Sequence, residues 1–99
     1  MERAIIEQVW AENEFEVVNT GGNCWAAIRQ VEGVEFWLTD DNESREPDPT
    51  AKLLVGAYVP NSGEWLEFSA EVDSLAQALP QLTEWAATLA GRLERKGKQ

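Results

Sequence analysis

The sequence contains no histidine and a single cysteine, Cys24. The absence of histidine excludes nucleophilic systems built on Ser–His or Cys–His pairs, and it removes most kinds of zinc site. Cys24 cannot form an internal disulfide, and we expect it to be an inert structural residue. The sequence also lacks the glycine-rich phosphate loop, the dinucleotide-binding pattern and the nucleophile elbow. We therefore expect a protein that is not an enzyme and that needs no cofactor and no metal ion.

Basic residues are scarce, because eight Lys and Arg stand against 18 Asp and Glu and give a net charge of −10. Residues 1–91 carry a net charge of −13, whereas residues 92–99 carry +3. A strongly acidic body repels nucleic acids and membranes and attracts proteins with basic surfaces. The same charge can also serve solubility alone.

Long apolar runs are missing as well. No run approaches the roughly 20 residues that span a membrane. The first residues also lack the basic segment and apolar segment of a signal peptide. We therefore expect a cytoplasmic protein that contacts neither a membrane nor nucleic acid directly.

What remains is enough apolar material for one core. The chain has 99 residues, of which 43% are hydrophobic, and five are tryptophans. We expect one α+β domain over 1–99, in which 92–99 form a basic, partly frayed tail. Periodicity and turn residues predict a short helix over 2–11 and strands over 14–19, 24–31, 34–39, 52–59 and 64–70. The predicted fold is a five-stranded, mainly antiparallel sheet with a long C-terminal helix packed on one face.

The C-terminal helix is predicted from an apolar stripe at helical spacing, formed by Leu82, Trp85, Ala86, Leu89, Ala90 and Leu93. Pro80 cannot sit comfortably inside a helix, because it lacks an N–H and its ring clashes with the preceding turn. Two arrangements are compatible with it. Either a short turn over 74–79 precedes a helix that starts at Pro80, or one helix is kinked there.

Strand alternation divides the sheet residues between two faces. The predicted core face contains Ile28, Val34, Phe36, Leu38, Val55, Ala57, Val59, Leu66 and Phe68. The second face contains four large aromatic residues and four polar ones: Trp25, Trp37, Tyr58, Trp65, Arg29, Glu35, Thr39 and Glu67. Two hypotheses explain this second face. The N-terminal helix covers it with Ile6, Val9 and Trp10, or a subunit or partner does.

An acidic, proline-containing loop is predicted over 40–49. Asp40, Asp41, Asn42 and Glu43 could offer oxygen ligands to calcium, but they lack the spacing and the central glycine of an EF-hand loop. We therefore expect a solvated acidic loop without a bound metal ion.

A resemblance to known proteins is carried by residues 15–27, which read Phe-Glu-Val-Val-Asn-Thr-Gly-Gly-Asn-Cys-Trp-Ala-Ala. Residues 38–41 and 55–58 fit it too. This segment resembles a group of short, uncharacterised bacterial and phage-borne proteins with a Thr-Gly-Gly-x-Cys turn. That group implies no catalytic residues. In size, charge and missing chemistry the chain is also similar in character to small acidic anti-CRISPR proteins of mobile elements.

Two functions follow from these features. The first is a nucleic-acid mimic of the anti-CRISPR type, which would block the basic DNA-binding surface of a CRISPR effector or another DNA-binding protein with its carboxylates. The second is a non-enzymatic accessory or adaptor protein, such as a homodimer, that binds through the aromatic sheet face. The candidate partner-binding residues are Glu12, Glu14, Glu16, Glu32, Glu35, Asp40, Asp41, Glu43, Glu46 and Trp37.

Overall fold

Five antiparallel strands form a single sheet in the computed structural model, which describes residues 3–22, 24–40 and 46–97. The strands are β1 (Glu16–Gly21), β2 (Cys24–Val31), β3 (Val34–Thr39), β4 (Leu53–Tyr58) and β5 (Trp65–Val72). Each strand pairs with the next one in the chain, so the order across the sheet is β1-β2-β3-β4-β5. The helices are α1 (Arg3–Glu12), α2 (Leu75–Ala78) and α3 (Leu82–Gly97). The predicted α+β class, with a short N-terminal and a long C-terminal helix, is confirmed.

The hairpin between β2 and β3 shows how local sequence sets these strands. Glu32 and Gly33 both have positive φ, 51° and 82°. Two consecutive residues of this kind form the tight turn whose twist matches that of antiparallel strands. Gly33 is also needed for packing, because a Cβ there would lie 3.3 Å from the Leu93 Cδ2 atom of α3.

The chain around Pro80 adopts the first of the two predicted arrangements. The short helix α2 is followed by a single 3-10 turn, Leu79–Gln81, and then by α3. The long helix therefore begins at Leu82, two residues later than predicted. Proline fits this 3-10 turn because the first residues of a helix have no intrahelical partner for their N–H groups. α3 continues to Gly97, so residues 92–97 of the predicted tail are helical, and 98–99 lie outside the described residues.

The apolar stripe of α3 packs on the core face of the sheet, except for Ala90, which is exposed. Leu82, Ala86 and Leu89 are almost fully buried, and Trp85 and Leu93 are partly buried beside them. The Trp85 ring centroid lies 5.4 Å from that of Phe68 and 6.3 Å from that of Phe36. The aromatic contacts join the helix to both β3 and β5. None of the helices within the described ranges is both long enough and apolar enough to cross a membrane.

Helix α1 packs on this same face, so the hypothesis that it covers the second face is wrong. Trp10 has no exposed surface, and its ring lies edge-on to Phe15 at a centroid distance of 5.1 Å. The Trp10 indole N–H donates a 2.7 Å hydrogen bond to the carbonyl oxygen of Pro47. Ile6, Trp10 and Phe15 belong to the same buried cluster as Leu82 and Leu89. The large tryptophan directs α1 to the core because its ring needs burial and its N–H needs an acceptor.

The alternation predicted for β2 is wrong by one residue. Ile28 pairs directly with Trp37, and Arg29 pairs with Phe36. Since directly paired residues share a face, Ile28 lies on the second face and Arg29 lies on the core side. A shift of one residue reverses every side chain of a strand.

Arg29 is tolerated on the core side because its charged group reaches the margin of the sheet. It donates to the carbonyl oxygen of Asn13 at 3.3 Å and forms an ion pair with Glu14 at 3.1 Å. The guanidinium carbon also lies 5.9 Å from the Phe15 ring centroid. These contacts fix the link between α1 and β1, where Glu14 has a positive φ of 66°.

The packing of α3 predicts a large loss of stability when Trp85 is truncated. We expect Trp85→Ala to lower the free energy of unfolding by about 3 kcal/mol, because the contacts with Phe36 and Phe68 are lost and a cavity remains. Urea denaturation followed by circular dichroism measures the change. Thr88→Ala on the exposed side of α3 is the control and should change it by less than about 0.5 kcal/mol. Equal effects of the two substitutions would contradict this account of the core.

Candidate functional site: the aromatic sheet face

The face of the sheet opposite the helices carries Trp37, Tyr58 and Trp65, and we call it the aromatic face. Trp37 and Tyr58 lie on neighbouring strands with ring centroids 4.5 Å apart and planes tilted by 34°. Tyr58 pairs directly with Trp65 of β5, whose surface is 47% exposed. No described helix covers these rings, because α1 and α3 both pack on the other side. The prediction that Trp37, Tyr58 and Trp65 share a face is confirmed by the register.

The strand register arranges this face in rows across the sheet. One row runs through Glu16, Ile28, Trp37, Gly56 and Ser69, from the β1 edge to β5. A neighbouring row contains Glu35, Tyr58 and Trp65. Directly paired side chains have Cβ atoms about 5 Å apart, so Glu35 stands next to Tyr58.

A shallow depression of about 370 Å³ lies on this face. Its lining combines aromatic rings with hydroxyl groups and one thiol, from Thr20, Cys24, Trp25, Ala26, Trp37, Thr39, Leu54, Val55, Gly56, Tyr58, Trp65 and Ser69. Leu54 adds an apolar side chain that is 51% exposed. An exposed surface of this kind, both apolar and aromatic, is typical of an interaction site.

Gly56 lies beneath the Tyr58 ring. A Cβ built on Gly56 would lie 3.2 Å from the Tyr58 Cε1 atom and 3.5 Å from its hydroxyl oxygen. The missing side chain therefore lets the Tyr58 ring lie close to the strand and next to Trp37. A glycine inside the predicted strand 52–59 is the sequence signal for such a close approach.

An irregularity in β5 brings Trp65 opposite Tyr58. Gly56 pairs with Ser69, yet Tyr58 pairs with Trp65, so three residues of β5 stand opposite one residue of β4. Glu67, inside this bulge, has a positive φ of 57°. The Trp65 indole N–H closes the bulge by donating to the carbonyl oxygen of Phe68 at 3.0 Å.

Arg92 of α3 supports the bulge from the side of the helices. Its guanidinium donates to the carbonyl oxygens of Leu66 at 3.2 Å and Glu67 at 2.8 Å. Bulges redirect side chains and bend strands, and they leave backbone groups without a ladder partner. Arg92 donates to two carbonyl groups of the bulge and is therefore a positioning residue, although it was predicted to belong to a basic tail over 92–99.

The Trp37 indole N–H is buried and has no hydrogen-bond partner, and no other buried side-chain nitrogen or oxygen within the described residues lacks one. A buried donor left without an acceptor costs about 1–3 kcal/mol. Such a group in a folded protein calls for a specific explanation. Trp37 lies on the central strand β3, in the middle of the aromatic face.

Trp25 does not lie where the sequence predicted. It pairs directly with Asn19, and alternation from Ala27 assigns it to the core side at the end of β2. Its atoms nevertheless border one end of the depression, as do those of Cys24. The shift is the same one-residue error that exchanged Ile28 and Arg29.

The predicted acidic site residues are spread over several parts of the fold. Glu35 alone stands next to the aromatic residues in the register, and its carboxylate forms neither a hydrogen bond nor an ion pair within the described part of the chain. Exposed carboxylates at other places are those of Glu12, Glu14, Glu16 and Glu32. Glu12 accepts from Gln8 at 3.1 Å.

Two predicted contact residues are buried. Asp40 is 2% exposed and accepts a 3.0 Å hydrogen bond from the backbone N–H of Asp48, so it orders the chain after β3. Glu46 is 8% exposed. Burial removes both from the surface available to a partner. Asp41 and Glu43, together with Asn42 of the candidate calcium loop, lie outside the described residues.

Comparison with known proteins adds no relative. No family model matches the chain, and neither the curated proteins nor the solved structures give a significant match.

The contact between Arg92 and the bulge predicts a loss of stability when the guanidinium is removed. We expect Arg92→Met to lower the free energy of unfolding by about 2 kcal/mol, because hydrogen bonds from a charged donor are worth about 1.5–3 kcal/mol. Arg95→Met, on the exposed end of α3, is the matched control. Urea denaturation measures both, and an equally small effect of the two substitutions would contradict the role of Arg92.

Proposed function

We propose that the chain is a non-catalytic protein-binding module that contacts its partner with the aromatic face. The observation that carries the proposal is the open sheet face itself, with three large aromatic side chains opposite the packed core. Interfaces are enriched in tryptophan and tyrosine at their centres, and exposed aromatic patches of this kind mark contact sites. Helices cover one face of this sheet, and the aromatic face is available for a partner to pack against.

The unpaired N–H of Trp37 supports this proposal. Its cost is recovered when a partner supplies an acceptor after a small rotation of the Trp37 or Tyr58 side chain. Trp37 and Tyr58 pack against each other with ring centroids 4.5 Å apart, so uncovering the indole N–H requires these two rings to move apart. The contact then gains a hydrogen bond that the free protein lacks.

The partner that fits best is a basic protein. The net charge of −10 disfavours a second copy of the chain, because two such bodies repel each other at close approach. The same charge attracts a basic surface and accelerates its association. The experiment below includes self-association as an outcome that contradicts this choice of partner.

A second candidate function is nucleic-acid mimicry of the anti-CRISPR type. It is favoured by the exposed carboxylates of Glu12, Glu16 and Glu32, together with the net charge. In this function the carboxylates occupy a basic groove in place of phosphates, and the aromatic face has no direct part. The two candidates therefore differ in which residues carry the affinity.

The first test places a charge on the aromatic face. We expect Trp37→Glu to weaken partner binding at least about 30-fold, since an aromatic group at the centre of a contact is replaced by a charge that must be desolvated. The fold should persist, because Trp37 lies outside the core between the helices and the sheet. Partners captured from a lysate are identified by mass spectrometry, purified, and titrated by calorimetry. Circular dichroism checks the fold.

Thr88→Glu is the matched control, because it adds the same charge on the exposed side of α3. It should leave the affinity unchanged within about two-fold. Cys24 provides a second readout, because it is exposed and borders the depression. Bound partner should slow its alkylation. Unfolding of Trp37→Glu, or equal binding by all variants, would contradict the proposal. Dimers in sedimentation of the parent protein would contradict the choice of a basic partner.

The second test separates the two candidate functions. We expect the combined reversal Glu12→Lys, Glu16→Lys and Glu32→Lys to weaken binding by less than about ten-fold at about 0.15 M salt, since exposed charges contribute little individually and are screened. Mimicry demands the opposite, a severe loss with steep salt dependence and competition by DNA. Asp40 is unsuitable for reversal because its buried carboxylate holds the chain after β3. Calorimetry at two salt concentrations decides between the candidates.

A further inference from the structure

We infer that the aromatic face receives one arginine side chain of its partner, between Tyr58, Trp65 and Glu35. The inference rests on the proposed function and names the chemistry that its site recognises. Glu35 stands directly opposite Tyr58, and Tyr58 stands directly opposite Trp65, so one acidic and two aromatic residues occupy one row of the register across three strands. That row spans two strand spacings, about 10 Å, which suits a single long side chain lying across the sheet.

The carboxylate of Glu35 is set apart because it lacks a partner in the described part of the chain and is also half-buried, whereas the unpaired carboxylates of Glu16 and Glu32 are exposed. Glu14 is paired with Arg29 at 3.1 Å, and Glu71 of the same face is paired with Lys52 at 3.5 Å. The Glu35 carboxylate has no hydrogen bond and no ion pair within the described residues, although the residue is half-buried. A half-buried carboxylate beside aromatic rings favours a cationic group, because its negative charge is only partly compensated by water.

Two aromatic rings beside this carboxylate favour the same kind of ligand. A guanidinium group is planar, stacks on the faces of tyrosine and tryptophan, and binds a carboxylate through two parallel hydrogen bonds. The ammonium group of lysine offers a point charge and cannot stack in this way. Trp65 is held by its hydrogen bond to Phe68, so its ring is already fixed in the free protein. The net charge of −10 disfavours an anionic occupant.

The arrangement also gives the main chain of the partner a role, as the hydrogen-bond acceptor for Trp37. Trp37 lies in the neighbouring row and carries the unpaired indole N–H. A carbonyl oxygen of the segment that bears the arginine is an acceptor without net charge, so the acidic surface does not repel it. One extended basic segment thereby supplies the cation for Glu35 and the acceptor for Trp37.

The experiment uses three short peptides as probes of this row: Ac-Gly-Arg-Gly-NH2, its citrulline analogue and its glutamate analogue. Citrulline has nearly the shape of arginine without the charge. Nitrogen–proton NMR spectra of the full chain follow the backbone amides of Glu35 and Tyr58 and the indole N–H of Trp37. The indole N–H of Trp10, which is buried on the other side and already donates to Pro47, is the internal reference.

We expect saturable shifts at Glu35, Tyr58 and Trp37 with the arginine peptide, at least about five-fold weaker binding of the citrulline peptide, and no binding of the glutamate peptide. Glu35→Gln should reduce the preference for arginine about five-fold. Glu16→Gln is the matched control: it removes one charge from the same face, at the far end of the row that contains Trp37, and should have no such effect.

The outcomes are decisive in each case. Equal weakening by Glu35→Gln and Glu16→Gln would show a general effect of charge and overturn the assigned site. Equal binding of the arginine and citrulline peptides, or no binding of either, would overturn it as well. The proposed function is decided independently by partner binding of Trp37→Glu. A loss of binding there, with no response to arginine, would retain the aromatic face as the contact and reject arginine as its occupant.

Discussion

The alternation of side chains along β3 is the constraint on which the rest of the structure depends. Val34, Phe36 and Leu38 have no exposed surface, whereas the three residues that alternate with them are half-buried on the other face. The helices therefore pack on the face of β3 that carries Val34, Phe36 and Leu38. Because α1 and α3 both use that face, the protein is a two-layer structure with one open sheet surface. The aromatic face is a consequence of where the helices pack.

The core and the aromatic face are connected through β5. The bulge places Leu66 and Phe68 toward α3 and Trp65 toward Tyr58, and Arg92 holds the bulge from the helix. The position of the exposed tryptophan therefore depends on contacts that also fasten α3 to the sheet. A site supported in this way is ordered before a partner arrives, and pre-organised side chains lose less entropy on binding. This rigidity favours a specific contact over a general apolar one.

Much of this fold follows from local sequence, and the exceptions have physical causes. The bounds of β2 and β3 were predicted correctly, because two glycine-containing turns and a regular apolar pattern define them. The faces of β2 were predicted incorrectly. Ala26 and Ala27 are both buried, so they do not indicate which of the two alternating sets of side chains faces the core. The bulge at Glu67 could not be predicted, because it depends on Arg92, which lies 25 residues further along the chain.

The candidate site was predicted less completely than the fold. The shared face of Trp37, Tyr58 and Trp65 follows from alternation within three separate strands. The sequence does not predict that α1 leaves this face open, because a helix with Ile6 and Trp10 can pack on either side of a sheet. The burial of Ile6 and Trp10 in one cluster with Leu82 and Leu89 shows which side α1 takes, and the hydrogen bond from Trp10 to Pro47 adds to this packing. The burial of Asp40 is equally invisible in the sequence, since an aspartate in a polar loop is usually solvated.

Acidity and aromatic surface, which the sequence presents as alternative explanations of function, act together in this structure. An open face with Trp37, Tyr58 and Trp65 would favour association between copies of the chain, and a high net charge opposes it. The charge opposes encounters with other acidic surfaces as well, and it accelerates encounters with basic ones. In the proposed function, most carboxylates would select the class of partner without touching it. Glu35 would differ, because its register position places it opposite Tyr58, where a basic partner would contact it directly.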